Sequence, residues 1–366
     1  MELRCNRSIL LNELGPMQGV VERKTTIPVL SHILLTARDQ QLHIAATDLD
    51  VSLTSSCEAE VAQEGGIAIQ ARKFLEIIRS LAGEEVHLLQ EDPNILSIHA
   101  MQSRFKLNGL APEDFPTLPE AASGDTLELP FAEFRRMISK IIFAVSAEES
   151  RFQLNGALLL EKDGSFEMVA TDGHRLALVE IAQEGASAKE GVLVPRKALQ
   201  ELQRFESDGN LEFSRGEHHL SFRVGRRELI CRILEGTFPD HERAIAKDND
   251  KKAIFDARAL ASTTQRVALL TGDRARAIRL QMGPDLLVVS TANPDLGEAV
   301  EEVACEYPGG EEFRLGVNPD YLSQFLAAVE TEKVRFEFKD ENSQCVGYPI
   351  DGEDTRYLCV IMPMRI

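Results

Sequence analysis

Thr171-Asp172-Gly173-His174-Arg175 puts a carboxylate two residues from an imidazole, a pairing that general acid–base hydrolysis uses. A hydrolase built on Asp172 and His174 is one reading of the chain. The corresponding stretch Thr47-Asp48-Leu49-Asp50 keeps the Thr-Asp pair without a histidine, which favours a turn or a binding role. The sequence contains no Gly-x-x-x-x-Gly-Lys-Ser/Thr loop for nucleotide phosphates, no Gly-x-Gly-x-x-Gly after a strand and no Gly-x-Ser-x-Gly elbow. His218-His219 falls in a polar stretch and reads as loop, and no histidines pair at metal-ligand spacing. The expectation is a protein that is not an enzyme, with no cofactor and no metal. Cys5, Cys57, Cys231, Cys305, Cys345 and Cys359 stand far apart without a Cys-x-x-Cys pair. Free thiols in a reducing cytoplasm are expected, not zinc or a disulfide framework.

The elements that would carry these residues repeat. A chain of 366 residues, 43% hydrophobic and 27% charged, suits two or three globular domains. It has no apolar run of the ~18 residues a membrane helix needs, and its first residues lack the apolar core of a signal peptide. Three landmarks recur in the same order at intervals of roughly 120 residues. The first is a hairpin running to a threonine at Thr47, Thr171 and Thr291, with turns at Asp39-Gln40-Gln41, Lys162-Asp163-Gly164-Ser165 and Gly283-Pro284-Asp285. The second is a short strand entering a helix at Ala71-Arg72-Lys73, Pro195-Arg196-Lys197 and Asn318-Pro319-Asp320, each continuing with apolar residues at helical spacing. The third is Phe115-Pro116, Phe238-Pro239 and Met362-Pro363 after an apolar strand. An amphipathic helix opens each unit, over residues 7–21, 131–145 and 256–270, with Gly15-Pro16 a weak point in the first. Linkers are expected near 120–126 and 247–252. The reading is an α+β chain of three tandem domains, 1–122, 123–247 and 248–366, each with two amphipathic helices on antiparallel sheets. Repeats this long are expected to have their own cores, unlike the shorter units of a solenoid.

The formal net charge of −19 opposes a nucleic-acid role unless basic groups are gathered locally. Four helices run against that background. Arg135, Arg136 and Lys140 face one acid, as do Arg72, Lys73 and Arg79; Arg196, Lys197 and Arg204 face two, and Arg258 and Arg266 face one. Cations on one concave surface would contact phosphates without regard to sequence. The last helix, with Asp320, Glu330 and Glu332, breaks the trend, and Glu298, Glu301, Glu302, Glu306, Glu311 and Glu312 crowd a short span before it. A solvated face explains these acids, as does a basic partner such as Arg104 and Lys106.

Several segments resemble the bacterial beta sliding clamp family, the processivity subunits of DNA polymerase III. They are Lys24-Thr25-Thr26-Ile27-Pro28-Val29-Leu30, Ala46-Thr47-Asp48-Leu49, Phe115-Pro116, Ala170 to Leu176, Val194-Pro195-Arg196-Lys197, Phe238-Pro239-Asp240 and Met362-Pro363-Met364-Arg365. They span the whole chain in family order. The resemblance implies a cytoplasmic head-to-tail homodimer, a ring with six similar domains around a central hole, helices inside and sheets outside. It implies double-stranded DNA, the replicative polymerase, an ATP-dependent clamp loader, and other polymerases and repair proteins as partners, and no membrane. A scaffold that binds peptides and never meets DNA is the alternative.

The resemblance also implies site residues. A peptide cleft between the second and third domains would involve Leu154, Thr171, Gly173, His174, Arg175, Leu176, Pro239, Arg243, Asn318, Tyr321, Val360, Met362, Pro363, Met364 and Arg365. Ala244 and Ala275 stand where relatives often carry larger apolar groups, implying a wider pocket. DNA would meet Lys24, Arg72, Arg151, Phe152, Gln153, Arg196, Lys197 and Arg204, with Phe152-Gln153 in place of an aromatic pair. Ring closure would join Arg104, Phe105 and Leu107 to Leu269, Leu270, Glu298, Glu301 and Glu302, pairing edge strands that would otherwise lie open.

Overall fold

The computed structural model describes all residues except 23–25, 122, 123, 125, 149, 184–187, 273–275, 309–311, 353–355 and 366. Lys24, Ala275 and Glu311 therefore lie outside the described residues. The order strand, helix, four strands, helix, three strands occurs three times. The first copy is β1 (Glu2–Asn6), α1 (Arg7–Val20), β2 (His32–Arg38), β3 (Gln41–Thr47), β4 (Val51–Gln63), β5 (Gly65–Gln70), α2 (Ala71–Ser80), β6 (Glu85–Asp92), β7 (Ile95–Ala100) and β8 (Ser103–Leu110). The second is β9 (Thr126–Pro130), α3 (Phe131–Ile141), β10 (Gly156–Lys162), β11 (Ser165–Thr171), β12 (Arg175–Ala182), β13 (Val192–Pro195), α4 (Arg196–Gln203), β14 (Asn210–Arg215), β15 (His219–Val224) and β16 (Arg227–Arg232). The third is β17 (Lys251–Asp256), α5 (Ala257–Ala268), β18 (Ile278–Gly283), β19 (Leu286–Asn293), β20 (Gly297–Glu306), β21 (Phe313–Val317), α6 (Pro319–Ala328), β22 (Lys333–Phe338), β23 (Cys345–Pro349) and β24 (Arg356–Ile361).

The opening strands β1, β9 and β17 were not legible as strands; β9 and β17 begin inside the stretches read as linkers. Each has only two buried apolar side chains, Leu3 and Cys5, Leu127 and Leu129, Ala253 and Phe255, too short an alternation to stand out. All three run directly into a helix. Asn6 caps α1 by accepting from the Ser8 and Ile9 amides, and Asp256 caps α5 by accepting from Ala259. The opening helices are shorter than read, and the second ends in a 3-10 turn at Ile142–Ala144. Pro16 lies within α1. A proline there cannot donate to the carbonyl four residues back, and Arg227 takes up that carbonyl, Asn12 O, at 3.1 Å while its Nε binds Glu13 at 2.8 Å. His219, read as loop, is the first residue of β15.

The strands form two twelve-stranded antiparallel sheets, each belonging to one of two compact units: Met1–Arg135 with Lys197–Ile233, and Arg136–Arg196 with Leu234–Ile366. Repeat spacing alone does not show the pairing between repeats. In the first unit β4 pairs with β16 of the second repeat, and in the second unit β12 pairs with β24 of the third. Hydrogen bonding thus runs across both repeat borders. Leu10, Leu14 and Met17 of α1 with Phe74 and Ile78 of α2 are fully buried in the first unit, and Phe325 packs on Phe336 and Tyr357 in the second. Each such side chain contributes about 1.5–3 kcal/mol. No helix among the described residues is long and apolar enough to cross a membrane.

Candidate partner-binding and nucleic-acid interfaces

The Thr-Asp pairs end β3 and β11 and make the same turn. Thr47 Oγ1 donates to Val51 O and accepts from Leu49 N at 3.0 Å; Thr171 Oγ1 donates to Arg175 O and accepts from Gly173 N at 3.1 Å. Asp48 Oδ1 accepts from Asp50 N and Val51 N; Asp172 Oδ1 accepts from His174 N and Arg175 N. The turn needs a left-handed residue, Leu49 at φ 82° or Gly173 at φ 89°. Asp172 is thus a turn anchor whose second oxygen binds Arg175 Nε at 3.0 Å, while His174 is exposed. A third copy is missing because β19 runs straight through Thr291 to Asn293.

Arg175 gathers the second turn onto its surroundings. It is 9% exposed, donates to Asp172, to Phe143 O and to Gln324 Oε1, and lies 4.3 Å over the Tyr321 ring and 5.3 Å over Phe143. Burial, then the charge of Asp172, raises the Tyr321 pKa. Asn318 caps α6, which presents Tyr321, by accepting from Asp320 N. Arg151 donates to Asp172 O at 3.0 Å and opens the 3-10 turn that contains Phe152 and ends in buried Leu154. Sequence reading missed Phe143 and Gln324, which lie far from Arg175 in the chain.

Strand register gives the two seams different floors. At the second, Thr171, Leu176, Val360 and Val346 stand side by side, and Val169, Leu178 and Leu358 form the next row. These apolar residues form one buried cluster with Ile245, and Leu158, Phe238, Ala246 and Tyr348 pack on it partly buried. At the first seam the matching rows are Thr47, Ser52, Ile230 and Ser221, then Ala45, Thr54, Glu228 and Arg223. Here Thr47 and Ser52 bond at 2.8 Å, and Glu228 takes Ser221 at 3.1 Å and Arg223 at 2.8 Å. An apolar ligand gains about 25 cal/mol per Å² on the second floor. On the first it would strip water from hydroxyls and charges.

Two segments edge the second floor. After β24, Met362 N donates to His174 O at 2.9 Å and Met364 N to Gly316 O at 2.8 Å. Met362 is 43% exposed, Pro363 and Met364 are half-buried and Arg365 is exposed. Arg232 N donates to Asp50 O at 2.9 Å in the first unit, so Met362 corresponds to Arg232 and not to Phe238, as the landmark spacing had suggested. The linker from Phe238 to Ile245 forms the other edge, with Pro239, Arg243 and Ala244 exposed.

Among the residues implied for DNA, Arg72, Lys197 and Arg204 belong to the first unit and Arg151, Phe152, Gln153 and Arg196 to the second. Phe152 is 69% exposed. Arg72 and Lys73 share Glu76 at 2.9 and 2.8 Å on an open helix face. Arg204 binds the buried Glu201, whose pKa is raised by burial despite that partner. Lys197 has a different occupation: its ammonium binds Asp48 and donates to Val20 O at 2.8 Å. Lys140, counted among the helix cations, is 3% exposed and bound to Glu330 at 3.0 Å. Arg135 donates to Phe205 O, and Arg266 binds Glu301 at 2.7 Å.

Of the residues implied for ring closure, Arg104, Phe105, Leu107, Glu298, Glu301 and Glu302 lie on strands with open edges, and Leu269 and Leu270 follow α5. Among the described residues β8 meets β5 only at Gly109 and Leu110, so 103–108 has β7 on one side alone. Similarly β20 meets β17 only at Cys305 and Glu306, leaving 297–304 with β19 alone. Phe105, Leu269 and Val300 are 37%, 78% and 62% exposed. Arg104, Glu298 and Glu302 are placed on these strands, Leu107 is half-buried and Leu270 follows α5. Lys106 binds Glu91 and Lys333 binds Glu306 at 2.7 Å.

Glu167, His241 and Glu242 bring ligand-type atoms within 4.8 Å of one another, which spacing could not show because Glu167 and His241 are 74 positions apart. Lys162 binds Glu167 at 2.7 Å and Arg356 binds Glu242 at 2.6 Å, so the carboxylates already have cations and the group is an ion-pair network. All six cysteines are free and buried. Burial pushes Cys5 and Cys345 up to about 12 and Cys57 and Cys305 to about 11, and also raises Cys231 and Cys359.

Comparison with known proteins agrees with this architecture. Family models described as the N-terminal, central and C-terminal domains of the DNA polymerase III beta subunit match residues 1–119, 128–240 and 242–365. The beta sliding clamp of Pseudomonas aeruginosa is 37% identical over 370 residues, and that of Caulobacter vibrioides 36% over 376, each covering 100% of both chains. A crystal structure of the Pseudomonas aeruginosa sliding clamp bound to griselimycin superposes with a TM-score of 0.94 at 37% identity, over 100% of both chains. Three tandem clamp domains, built on one repeated order of strands and helices, make the chain a member of the DNA polymerase III beta subunit family, the beta sliding clamps.

Proposed function

We propose that this chain is the processivity factor of a bacterial replicase, a non-catalytic clamp with domains 1–122, 123–247 and 248–366. Two copies close head to tail into a ring around duplex DNA in the cytoplasm. The open edges of β8 and β20, with Phe105 and Leu269 beside them, support that closure: joining them would satisfy backbone groups that otherwise face water. A closed ring holds DNA by topology, so weak phosphate contacts suffice and permit sliding. Arg72, Arg151, Phe152, Gln153, Arg196 and Arg204 are the proposed DNA contacts, together with Lys24. Lys197 is left out because Asp48 and Val20 already hold its ammonium.

The observation that carries the functional reading is the apolar floor of the second seam, edged by the Met362–Arg365 tail and the Thr171–Arg175 turn. It suits short peptides anchored by Leu or Phe, through which the replicative polymerase, other polymerases, repair proteins and an ATP-dependent loader would bind. The test is retention on nicked circular DNA, with loader and ATP, before and after linearisation. The ring should stay on circles and run off linear ends. Equal retention on both forms would overturn topological tethering and favour a peptide-binding scaffold.

A further inference from the structure

We propose that Glu167, His241, Glu242 and Arg356 form a latch that fixes the linker 238–245 as the outer wall of the peptide cleft. These are positioning residues for partner affinity, and the inference rests on the cleft reading above. The register lines up Glu167, Glu180 and Arg356 across β11, β12 and β24, on the same sheet face as the apolar floor and one row beyond it. Glu167 has a fully buried side chain. Its Oε1 bonds His241 Nε2 at 3.1 Å and its Oε2 accepts from Lys162 at 2.7 Å. Arg356 lies 3.9 Å from Glu167 and grips Glu242 at 2.6 and 3.4 Å. Glu180 is occupied by Ser165 at 2.7 Å. Burial pushes the Glu167 pKa up, but the bonds from His241 and Lys162 outweigh it and hold the group below its usual value.

The chain geometry makes this a wall and not a generic surface network. His241 and Glu242 lie in one short 3-10 turn, His241–Ala244, whose next residues Arg243 and Ala244 are exposed. Phe238 before the turn and Ile245 after it pack on the floor. The linker is therefore held by apolar contacts at its ends and by ion pairs in its middle. A polar network anchored on a buried, fully paired carboxylate fixes one geometry more narrowly than apolar packing does. The first seam lacks the device. The register position of Glu167 is taken there by His43, and Arg226, at the position of Arg356, turns instead to Glu58 at 2.7 Å. The latch occurs at the seam whose floor is apolar, and not at the one whose floor is polar.

The test uses the full chain and griselimycin as the probe, read by titration calorimetry. Deleting Met362–Ile366 should abolish binding, which establishes the cleft. His241→Ala and Glu242→Ala should each weaken binding about 10-fold, equivalent to about 1.4 kcal/mol, and speed amide exchange over Phe238–Ile245. His241→Gln, which keeps a donor for Glu167, should bind within 3-fold of the parent. Sedimentation should show the dimer unchanged in all three substitutions. A destabilised fold would instead speed amide exchange across the whole second unit, and the glutamine variant would not rescue it. Parent-like affinity in both alanine variants, with binding still lost in the deletion, would overturn the latch. A parent chain that does not bind griselimycin would overturn the cleft reading and the latch with it.

Discussion

Replacing Arg175 by alanine tests how much of the second seam hangs on one side chain. The guanidinium is 9% exposed and makes three charge-assisted contacts, to Asp172, Phe143 O and Gln324, besides stacking on Tyr321 at 4.3 Å. Deleting one partner of a nearly buried ion pair costs about 3–5 kcal/mol, because the other charge stays behind without compensation. Asp172 would keep its backbone bonds from His174 N and Arg175 N, which favours the lower part of that range. Losing the ring contact adds about 0.5–2 kcal/mol, so the total is about 4 kcal/mol. At about 2–4 °C per kcal/mol for a unit of about 200 residues, the melting transition of the second unit should fall by roughly 10 °C. Scanning calorimetry is the assay, with amide exchange at Leu176 and Met362 as the local readout. Arg175→Lys should recover little, since a single ammonium cannot serve three acceptors held in a planar fork. A shift below about 2 °C, with exchange unchanged at both amides, would refute the account of Arg175 as the hub of the seam.

Glu167, Glu242 and Glu330 all have pKa values lowered on folding, and all belong to the second unit. A carboxyl with a depressed folded pKa contributes stability that is full above its unfolded value, near 4.5, and is lost as pH falls through the folded one. Amide exchange should therefore show the second unit loosening as pH drops below about 4.5, with a weaker dependence in Glu330→Gln. Phe105→Asp should place a charge on the open β8 edge and convert dimers to monomers in sedimentation; an intact dimer would move the interface elsewhere. Arg72→Ala should lower the slope of log K for duplex binding against log salt by about one, whereas Lys197→Met should leave the slope unchanged and loosen the Asp48 turn in amide exchange. A thiol-reactive dye should label none of the six cysteines at pH 8 until denaturant is added, because burial keeps every thiol protonated and shielded.

Much of this was legible because the repeat is written three times. The hairpin turns, the helix entries at Ala71, Arg196 and Pro319, and the equivalence of Thr47 with Thr171 all rest on local signals that the structure reproduces. Two kinds of information were not local. Strand pairing between repeats, β4 with β16 and β12 with β24, joins segments far apart in the chain, and no residue spacing encodes it. The partners of charged side chains were equally hidden. Lys140 and Lys197 look like solvent-facing helix cations, yet Glu330 and Asp48 claim them. One missed signal was available: β12 reads Leu176-Ala177-Leu178-Val179, apolar on both faces, where β4 reads Ser52-Leu53-Thr54 in alternation.

That difference between β12 and β4 explains how one backbone can serve two ends. Both seams pair a repeat's third strand after its opening helix with the closing strand of the next repeat, and both present a Thr-Asp turn at the edge. At the first seam the aspartate is bound by Lys197 and the floor by its own hydroxyls and a carboxylate–guanidinium pair. Thr47, Ser52, Ser221, Arg223 and Glu228 already have partners within that floor, so an incoming apolar side chain would have to displace those bonds to enter. At the second, Asp320 takes the helix position that Lys197 holds in the first, Arg175 satisfies the turn aspartate from within the turn while stacking on the next helix residue, Tyr321, and the floor beyond Thr171 is apolar. An apolar anchor there displaces water and breaks nothing. The proposed docking seam therefore differs from the first by its side chains alone, with the fold held constant: one floor is crossed by its own polar bonds, and the other is apolar.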